Sequence, residues 1–203
     1  MDSIWTKTAQ LPQFEPLRSD LRTDVLVIGG GMAGLLCAWR LRQAGVDCVL
    51  VEADRLCGGT TKNTTAKLTV QHGLIYHRLL KELGLARTKL YLHANLAALE
   101  EYRRLCRTID CDFQEKDSFV YATGSRRKLD QELEALERLG YPAQFVPEVP
   151  LPVPAAGAVR LEGQAQFHPL KFAAGIAGEL RIFEHTKVLE LLPGRAVTSG
   201  GQQ

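Results

Sequence analysis

Three glycines at fixed spacing constrain the fold of this 203-residue chain more than any other feature. Gly29, Gly31 and Gly34 fit the pattern Gly-x-Gly-x-x-Gly. The apolar run at residues 24–28 precedes them, and residues 32–44, with apolar positions at helical spacing, follow them. A short apolar run that ends at glycines is typical of a strand buried on both faces. The pattern predicts a strand and a helix joined by a tight turn.

A second apolar run, residues 46–51, ends at Glu52 and completes a strand–helix–strand unit with parallel strands. In such a unit Gly29 permits the tight turn, Gly31 lets the backbone approach a pyrophosphate, and Gly34 lets the helix pack closely on the strand. Glu52 stands where an acid accepts hydrogen bonds from a ribose diol, and its charge disfavours the 2′-phosphate of NADP. These features predict a dinucleotide site and leave NAD and FAD open.

Composition excludes several other classes of protein. The chain is 45% hydrophobic and 24% charged, as globular proteins are, and its net charge of +2 gives no basis for nucleic-acid binding. No apolar run reaches the ~18 residues of a membrane span, and the amino terminus lacks a secretory signal, so we expect a cytoplasmic protein. The five cysteines have no metal-ligand spacing, which predicts structural thiols and no metal site.

The remaining elements are predicted from periodicity and from turn residues. Residues 1–23 form an irregular lead-in. Helices are predicted at residues 75–83, at residues 86–109, from the N-cap Ser125 to Gly140, and from Pro169 to about Leu180. Strands are predicted at residues 118–122, within the β-rich residues 181–192, and at residues 195–198. An extended surface connection is predicted at Pro147, Pro150, Pro152 and Pro154.

Several segments together resemble a known family. Asp24-Val-Leu-Val-Ile-Gly-Gly-Gly-Met-Ala-Gly34, residues 49–52, residues 58–61 and residues 64–68 are similar to the amino-terminal half of FAD-dependent oxidoreductases of the D-amino-acid oxidase/glycine oxidase superfamily. Within it the sequence resembles the bacterial branch whose members often end in a Rieske domain. That likeness also includes residues 3–5, 71–76, 166–170 and 184–188, and the match extends from about residue 3 to about residue 198.

The resemblance implies FAD as the cofactor and assigns residues to it. The pyrophosphate would be held by Gly29, Gly31, Met32, Ala33 and Gly34, and Glu52 would bind the adenosine ribose. Ala53 and Arg55 would lie beside the adenosine, and Val188 would present its backbone to the adenine. Lys62 replaces a glycine that many relatives have. The diphosphate and ribityl chain would be followed by Thr60, Thr61, Thr65, Ala66, Lys67 and Leu68.

Candidates for catalysis are few. His72 and His168 are plausible proton-transfer residues near a flavin or substrate, because histidine titrates near neutral pH, although a structural role is open for each. No other catalytic residue can be identified from the sequence. Cys57, beside Gly58, resembles a site of covalent flavin attachment only superficially, since nothing around it signals a lowered thiol pKa.

The predicted fold class is α/β, with a Rossmann-like FAD-binding domain and an interleaved, incomplete α+β substrate domain. The predicted segments are a lead-in at 1–23, FAD-binding residues 24–90, a helical and substrate-domain insertion at 91–165, and FAD-binding residues 166–203. The family needs about twice this length, so the chain is expected to be truncated. It has no Cys-x-His or Cys-x-x-His pair for a Rieske centre.

The chemistry that the resemblance implies is oxidation of a C–N bond in an amine or amino acid, with an unknown electron acceptor. An NAD-dependent dehydrogenase and a non-catalytic remnant are the alternatives. We expect the chain alone to be inactive, to bind flavin weakly and to be poorly stable. Self-association is expected because the strand at residues 195–198 would lack a partner.

Overall fold

The computed structural model describes residues 2–149 and 151–203, which fold into two compact units. The first unit comprises the chain up to Ala66, together with Ile109–Asp112 and His168–Gln203. The second comprises Lys67–Thr108 and Phe113–Phe167. Each unit is therefore assembled from segments that are distant in sequence. None of the described helices is both long and apolar enough to cross a bilayer.

The chain combines helices with a parallel sheet, which confirms the α/β class. In chain order the elements are α1 (Ile4–Thr8), β1 (Val25–Ile28), α2 (Met32–Gln43), β2 (Cys48–Val51), a 3₁₀ turn (Thr61–Asn63), β3 (Lys67–Leu68), α3 (Tyr76–Cys106), β4 (Gln114–Tyr121), α4 (Arg127–Leu139), β5 (Gln144–Val146), β6 (Ala158–Gln166), α5 (Pro169–Ala177), β7 (Ile182–Phe183), β8 (Val188–Leu192) and β9 (Arg195–Thr198).

The first unit is built on a parallel sheet of order β1-β2-β7. Val25 pairs with Cys48 and Ile28 with Val51, so the predicted parallel strand–helix–strand unit is confirmed. All four residues of β2 are buried, as expected for a central strand covered on both faces. Helices α2 and α5 pack together, with the fully buried Leu35 and Phe172 among the residues of this core.

The lead-in at residues 1–23 was predicted to be irregular, and in part this is wrong. Ser3 caps α1, since its hydroxyl accepts a hydrogen bond from the Thr6 backbone N–H at 3.3 Å. Five residues are too few to show a helical period, which is why the pattern gave no signal. The short helix contacts α5, so tertiary packing supports what propensity alone does not.

The second unit packs helices on an antiparallel sheet. Its strands follow the order β3-β6-β4, and β5 also pairs with β6. Its core includes Tyr76 and Leu92 of α3, Leu129 and Leu136 of α4, and Leu161 of β6. Gly84 adopts φ 73° and ψ 173°, which separates α3 into two helical segments close to the predicted boundary. Gly140 ends α4 in the left-handed conformation, as predicted.

Several boundaries differ from the predictions. Strand β4 is longer than predicted because β6 pairs with it along most of its length. Helix α5 ends at Ala177, and α4 begins after Arg126, with the Ser125 hydroxyl accepting from the Arg127 backbone N–H. Residues 67–90, predicted to belong with the FAD-binding segment, cluster with the second unit, where β3 pairs with β6. Pro150 lies outside the described residues.

The expectation that the last strand lacks a partner is wrong. Strand β9 pairs antiparallel with β8, and Leu192 opposite Arg195 closes the hairpin. Gly194 supplies the positive φ, 73°, that the intervening turn uses. The β-rich residues 181–192 thus supply the partner strand. Self-association remains a prediction, but it cannot rest on an unpaired β9.

A buried carboxylate connects the two helices of the second unit. Glu132 of α4 is fully buried and accepts hydrogen bonds from the backbone N–H groups of Tyr76 at 2.8 Å and His77 at 2.9 Å. These amides belong to the first turn of α3, where no residue of the helix itself can accept from them. Burial raises the pKa of the Glu132 carboxyl, and the backbone donors oppose that shift.

We expect Glu132→Ala to lower the free energy of unfolding by about 2–4 kcal/mol, because it leaves two buried N–H groups without an acceptor. Denaturant unfolding monitored by circular dichroism measures the loss. Glu134→Ala is the matched control, since Glu134 is an exposed glutamate of the same helix and should change stability little. Equal effects of the two substitutions would contradict the role assigned to Glu132.

Candidate cofactor site

The glycine-rich turn connects β1 to α2 with very little space between them. Gly29 has φ +105°, a conformation that favours glycine, and its N–H donates to the carbonyl of Val51 at 2.8 Å. A Cβ atom on Gly34 would lie 1.9 Å from the Gly29 carbonyl oxygen, so only glycine allows α2 to approach the turn this closely. Two of the three motif glycines therefore have a structural requirement within the chain.

Gly31 differs from the other two motif glycines. Its φ of −81° is open to any residue, and an added Cβ would meet nothing closer than the Thr61 hydroxyl at 3.6 Å. The protein therefore leaves space beside Gly31 that a side chain or a ligand could occupy. Gly30, which the motif does not specify, is more constrained, because its Cβ would lie 2.8 Å from Leu56 Cδ1 and 3.0 Å from Glu52 Cβ.

The first turn of α2 offers backbone donors. Met32 N–H donates to the Thr61 hydroxyl oxygen at 3.1 Å, so the loop after β2 caps this helix. Within the described residues, the N–H groups of Ala33 and Gly34 have no acceptor. Unpaired N–H groups at the start of a helix of this length, combined with its dipole, favour an anionic ligand such as a phosphate.

Glu52 lies directly after β2 and is held in place by the backbone. Its Oε2 accepts from Gly30 N–H at 2.6 Å, and its Oε1 accepts from Asp54 N–H at 2.9 Å. Each carboxylate oxygen can accept more than one hydrogen bond, so both retain capacity for a ligand hydroxyl. The structure thus places this carboxylate and the glycine turn at the same carboxyl edge of the sheet.

Comparison with known proteins decides the family. Residues 24–203 match the model of the DAO family, described as FAD dependent oxidoreductase. The chain belongs to this FAD-dependent oxidoreductase family. It is 33% identical over 202 residues to YhfW of Bacillus subtilis, a protein named for a Rieske 2Fe-2S iron-sulfur centre, with 95% of this chain and 40% of that protein covered.

One further relative and one solved structure are similar to this chain. Gamma-glutamylputrescine oxidoreductase of Escherichia coli is 26% identical over 178 residues, covering 83% of this chain and 42% of the relative. The crystal structure of glycine oxidase from Geobacillus kaustophilus has the same fold, with a TM-score of 0.69 at 23% identity over 89% of this chain and 52% of that one. The chain spans about half the length of the relatives it matches.

The threonine-rich loop that the family resemblance assigns to the cofactor follows Glu52. Thr60 and Thr65 are exposed, and Thr60 precedes the 3₁₀ turn. Ala66 is buried with φ +57°, and its N–H donates to the Thr64 hydroxyl at 3.2 Å. Trp5 Nε1–H donates to the Thr64 carbonyl at 2.9 Å, which fixes the loop from the lead-in side.

The structure groups most of the predicted cofactor residues in the first unit, but not all. Lys67 and Leu68 form β3 of the second unit, with Lys67 exposed and Leu68 buried. Val188 begins β8 in the first unit and pairs with Thr198. The residues just before it are attached to the end of β2, because Thr186 N–H donates to the Glu52 carbonyl at 2.8 Å.

The two candidate catalytic histidines have different surroundings. His168 is buried and caps α5, accepting from Lys171 N–H on Nδ1 at 3.3 Å, while its Nε2 lies 2.9 Å from the Thr8 hydroxyl. That hydroxyl donates to the Ile4 carbonyl, so Nε2 carries the proton and donates to Thr8. Burial and the charge of Lys171 lower the pKa of His168, which favours this neutral form. Both ring nitrogens are therefore engaged within the fold.

His72 is exposed and belongs to the second unit. Its Nε2 lies 3.2 Å from the Asn95 side-chain oxygen, an amide of α3. One ring nitrogen therefore has a partner in the protein. Its assignment as a proton-transfer residue remains a prediction.

Sequence reasoning missed Glu184, which is the most highly connected carboxylate of the first unit. It follows β7 directly, is 1% exposed, and accepts from Leu56 N–H at 2.6 Å and from Phe14 N–H at 3.0 Å. Arg55 lies 3.4 Å from its Oε2. The sequence placed Glu184 inside the β-rich residues 181–192, and only the structure shows that it directly follows a strand, as Glu52 follows β2.

A cavity of about 370 Å³ lies in the first unit, beside the loop that follows Glu52. Its walls include Gln10 and Gln13 of the lead-in and the cationic side chains of Arg55 and Lys62. None of the motif glycines lines it, so it does not coincide with the turn that carries the free amides.

Cys57 lines the same cavity but is not a reactive thiol. It is buried, and burial raises its pKa to about 11, a shift that the Glu52 charge reinforces and a hydrogen bond with Thr61 partly offsets. A thiolate is the attacking form in alkylation and in covalent attachment. The environment therefore disfavours a covalent flavin link at this residue.

We expect iodoacetamide to alkylate Cys37, which is exposed, and to leave Cys57 unmodified in the folded protein at mildly alkaline pH. Any reaction at Cys57 should accelerate about tenfold per pH unit up to its pKa, because the thiolate fraction rises at that rate. Peptide mass spectrometry identifies the modified residues. Equal labelling of both cysteines in folded protein at one pH would contradict the assigned pKa.

Proposed function

We propose that this chain binds FAD and serves an oxidoreductase that oxidises a C–N bond in an amine or amino acid. The observation that carries the proposal is the glycine turn, where free amides of α2 and the oriented carboxylate of Glu52 lie at one edge of a parallel sheet. In doubly wound α/β folds ligands bind at the carboxyl edge of the strands. Family membership favours FAD over NAD at such a site.

Each part of the cofactor has a matching group in the chain. The amides of Ala33 and Gly34 suit the pyrophosphate, and the open position at Gly31 leaves room for it. The free lone pairs of Glu52 suit the ribose hydroxyls. Contacts of Ala53, Arg55, Thr60, Thr61, Thr65, Ala66, Lys67, Leu68 and Val188 are proposed from the family resemblance alone.

The flavin, when bound, would supply the redox chemistry by accepting a hydride equivalent from the substrate. The residues of this chain would hold and orient it. Thr61 would fix the start of α2, and Glu52 would hold the ribose while also fixing Gly30. His168 would not move a proton, since both of its ring nitrogens are committed to α1 and α5.

The substrate class is proposed from relatives. Glycine oxidase, gamma-glutamylputrescine oxidoreductase and the L-proline dehydrogenase of P. horikoshii are named for amine or amino-acid substrates. Because this chain spans about half of such relatives, the substrate and the electron acceptor of the whole protein are left open.

Purified chain stripped of cofactor should bind FAD, quench its fluorescence and give a flavin absorbance spectrum. Titration with NAD and with FMN provides the comparison, since FMN lacks the adenosine diphosphate half that Glu52 and the α2 amides would hold. Saturable binding of NAD with none of FAD would establish the dehydrogenase alternative instead. If the chain bound neither FAD nor NAD, the non-catalytic remnant would be the remaining alternative.

The reaction class is tested separately, on the protein purified from its native gene with whatever further sequence that gene encodes. Mixed anaerobically with amines and amino acids, the bound flavin should bleach as it is reduced. Matched 2-hydroxy acids, which offer a C–O bond in place of the C–N bond, are the control class. Bleaching by the hydroxy acids alone would contradict the proposal.

Two glycine substitutions should separate fold from binding. We expect Gly34→Ala to lower the melting temperature, because its Cβ cannot fit 1.9 Å from the Gly29 carbonyl oxygen. Gly31→Ala should leave the melting temperature of the cofactor-free chain unchanged, yet weaken FAD binding about tenfold or more by filling the space for the pyrophosphate. Thermal melts and FAD titrations measure both quantities. Unchanged FAD affinity in Gly31→Ala would contradict the proposal that the pyrophosphate lies against Gly31.

A further inference from the structure

We infer that Glu184 is the positioning residue for the pyrophosphate turn, an inference that rests on the proposed binding of FAD. Glu184 is not among the residues assigned to cofactor contact, although Val188, four residues later, is. Its carboxylate, 1% exposed, joins three distant parts of the first unit. They are the end of β7, the lead-in at Phe14, and Arg55–Leu56 at the start of the loop of residues 55–61, called here the 55–61 loop.

The carboxylate fixes the beginning of the 55–61 loop at two points. Glu184 Oε1 accepts from Leu56 N–H at 2.6 Å, and the Arg55 guanidinium lies 3.4 Å from Oε2. Hydrogen bonds to a buried charged acceptor are shorter and stronger than neutral ones. Without this acceptor, Leu56 N–H would be buried with no partner, so the loop would have to shift to satisfy it.

The 55–61 loop in turn holds the glycine turn. Cys57 N–H donates to the Gly30 carbonyl at 2.9 Å, directly after the residue that Glu184 anchors. Thr61, at the other end of the loop, accepts from Met32 N–H. Gly30 is therefore fixed on both sides, by Cys57 at its carbonyl and by Glu52 at its N–H.

The packing around Gly30 makes this connection stiff. The Leu56 side chain lies so close that a Cβ on Gly30 would be 2.8 Å from its Cδ1. Cys57 has φ +56°, a left-handed conformation that L residues with side chains adopt rarely. Such a conformation persists only where the surrounding structure enforces it. Here the hydrogen bonds of the Leu56 and Cys57 N–H groups hold the backbone in this conformation.

A shift at Leu56 is therefore transmitted to Gly30 through the Cys57 hydrogen bond, and to Met32 at the start of α2 through Thr61. Glu184 makes no cofactor contact in this scheme; it sets the position of backbone groups that do. The pyrophosphate half of the cofactor depends on these groups, whereas the ribose depends on Glu52. Arg55, proposed to lie beside the adenosine, contacts Glu184 at 3.4 Å through a side chain that is 39% exposed, so loss of this contact should affect nucleoside recognition less. Loss of the Glu184 carboxylate should thus weaken phosphate recognition more than nucleoside recognition.

The test uses Glu184→Gln in the full chain, with titrations of FAD, ADP and adenosine. Glutamine keeps one acceptor oxygen but replaces the second with an NH₂ group that cannot accept from a backbone N–H. We expect Kd for FAD and for ADP to rise about tenfold together, and Kd for adenosine to rise much less. Glu184→Asp keeps the charge on a shorter side chain, so its Kd values for FAD and ADP should lie between those of the unaltered chain and Glu184→Gln. If Glu184→Gln does not fold, the same titrations are made with Glu184→Asp.

Glu132→Gln is the matched control, because Glu132 is likewise a buried carboxylate that accepts from two backbone N–H groups but belongs to the second unit. It should lower stability and leave Kd for ADP unchanged. Unchanged ADP affinity in folded Glu184 variants would overturn the inference, as would equal losses for ADP and adenosine. Failure of the unaltered chain to bind FAD or ADP would instead overturn the proposed function.

Discussion

The structure of the first unit depends on how closely α2 approaches the turn after β1. The Gly29 carbonyl occupies the space where a side chain on residue 34 would begin, so the helix N-terminus and the strand end are brought together only by glycine. That approach places the amides of Ala33 and Gly34 at the carboxyl edge of the sheet, where they have no acceptor within the described part of the chain. The same contact therefore sets both the packing of the fold and the position of its anion-binding groups.

Buried carboxylates hold the chain at points where secondary structure supplies no partner. Glu132 accepts from the first amides of α3, and Glu184 accepts from the amides of Phe14 and Leu56 in irregular segments. Glu52 uses the same chemistry at Gly30, but it is less buried than the other two and is open to a ligand. A glutamate that accepts from backbone amides can thus stabilise the fold, bind a ligand or do both, and its degree of burial distinguishes these roles.

Much of the fold could be predicted because the decisive signals are local. The glycine spacing, the apolar runs on either side and the break at Gly84 are properties of neighbouring residues. The contacts of Glu184 and His168 could not be predicted, since each joins segments more than a hundred residues apart. The assignment of residues 67–90 differed for the same reason: β3 is two residues long, and only its pairing with β6 places it.

The position of β1 in the described sheet differs from that of the first strand in larger doubly wound sheets. In doubly wound sheets with the order 3-2-1-4-5-6 the first strand is central. Here the order β1-β2-β7 leaves β1 at the edge of the described sheet, although its four residues are all apolar and Ile28 is 50% exposed. Native proteins usually keep such edge strands short, and β1 has only four residues. Because β1 leads directly into the glycine turn, its pairing with β2 positions the backbone of Gly29, whose N–H donates to the Val51 carbonyl.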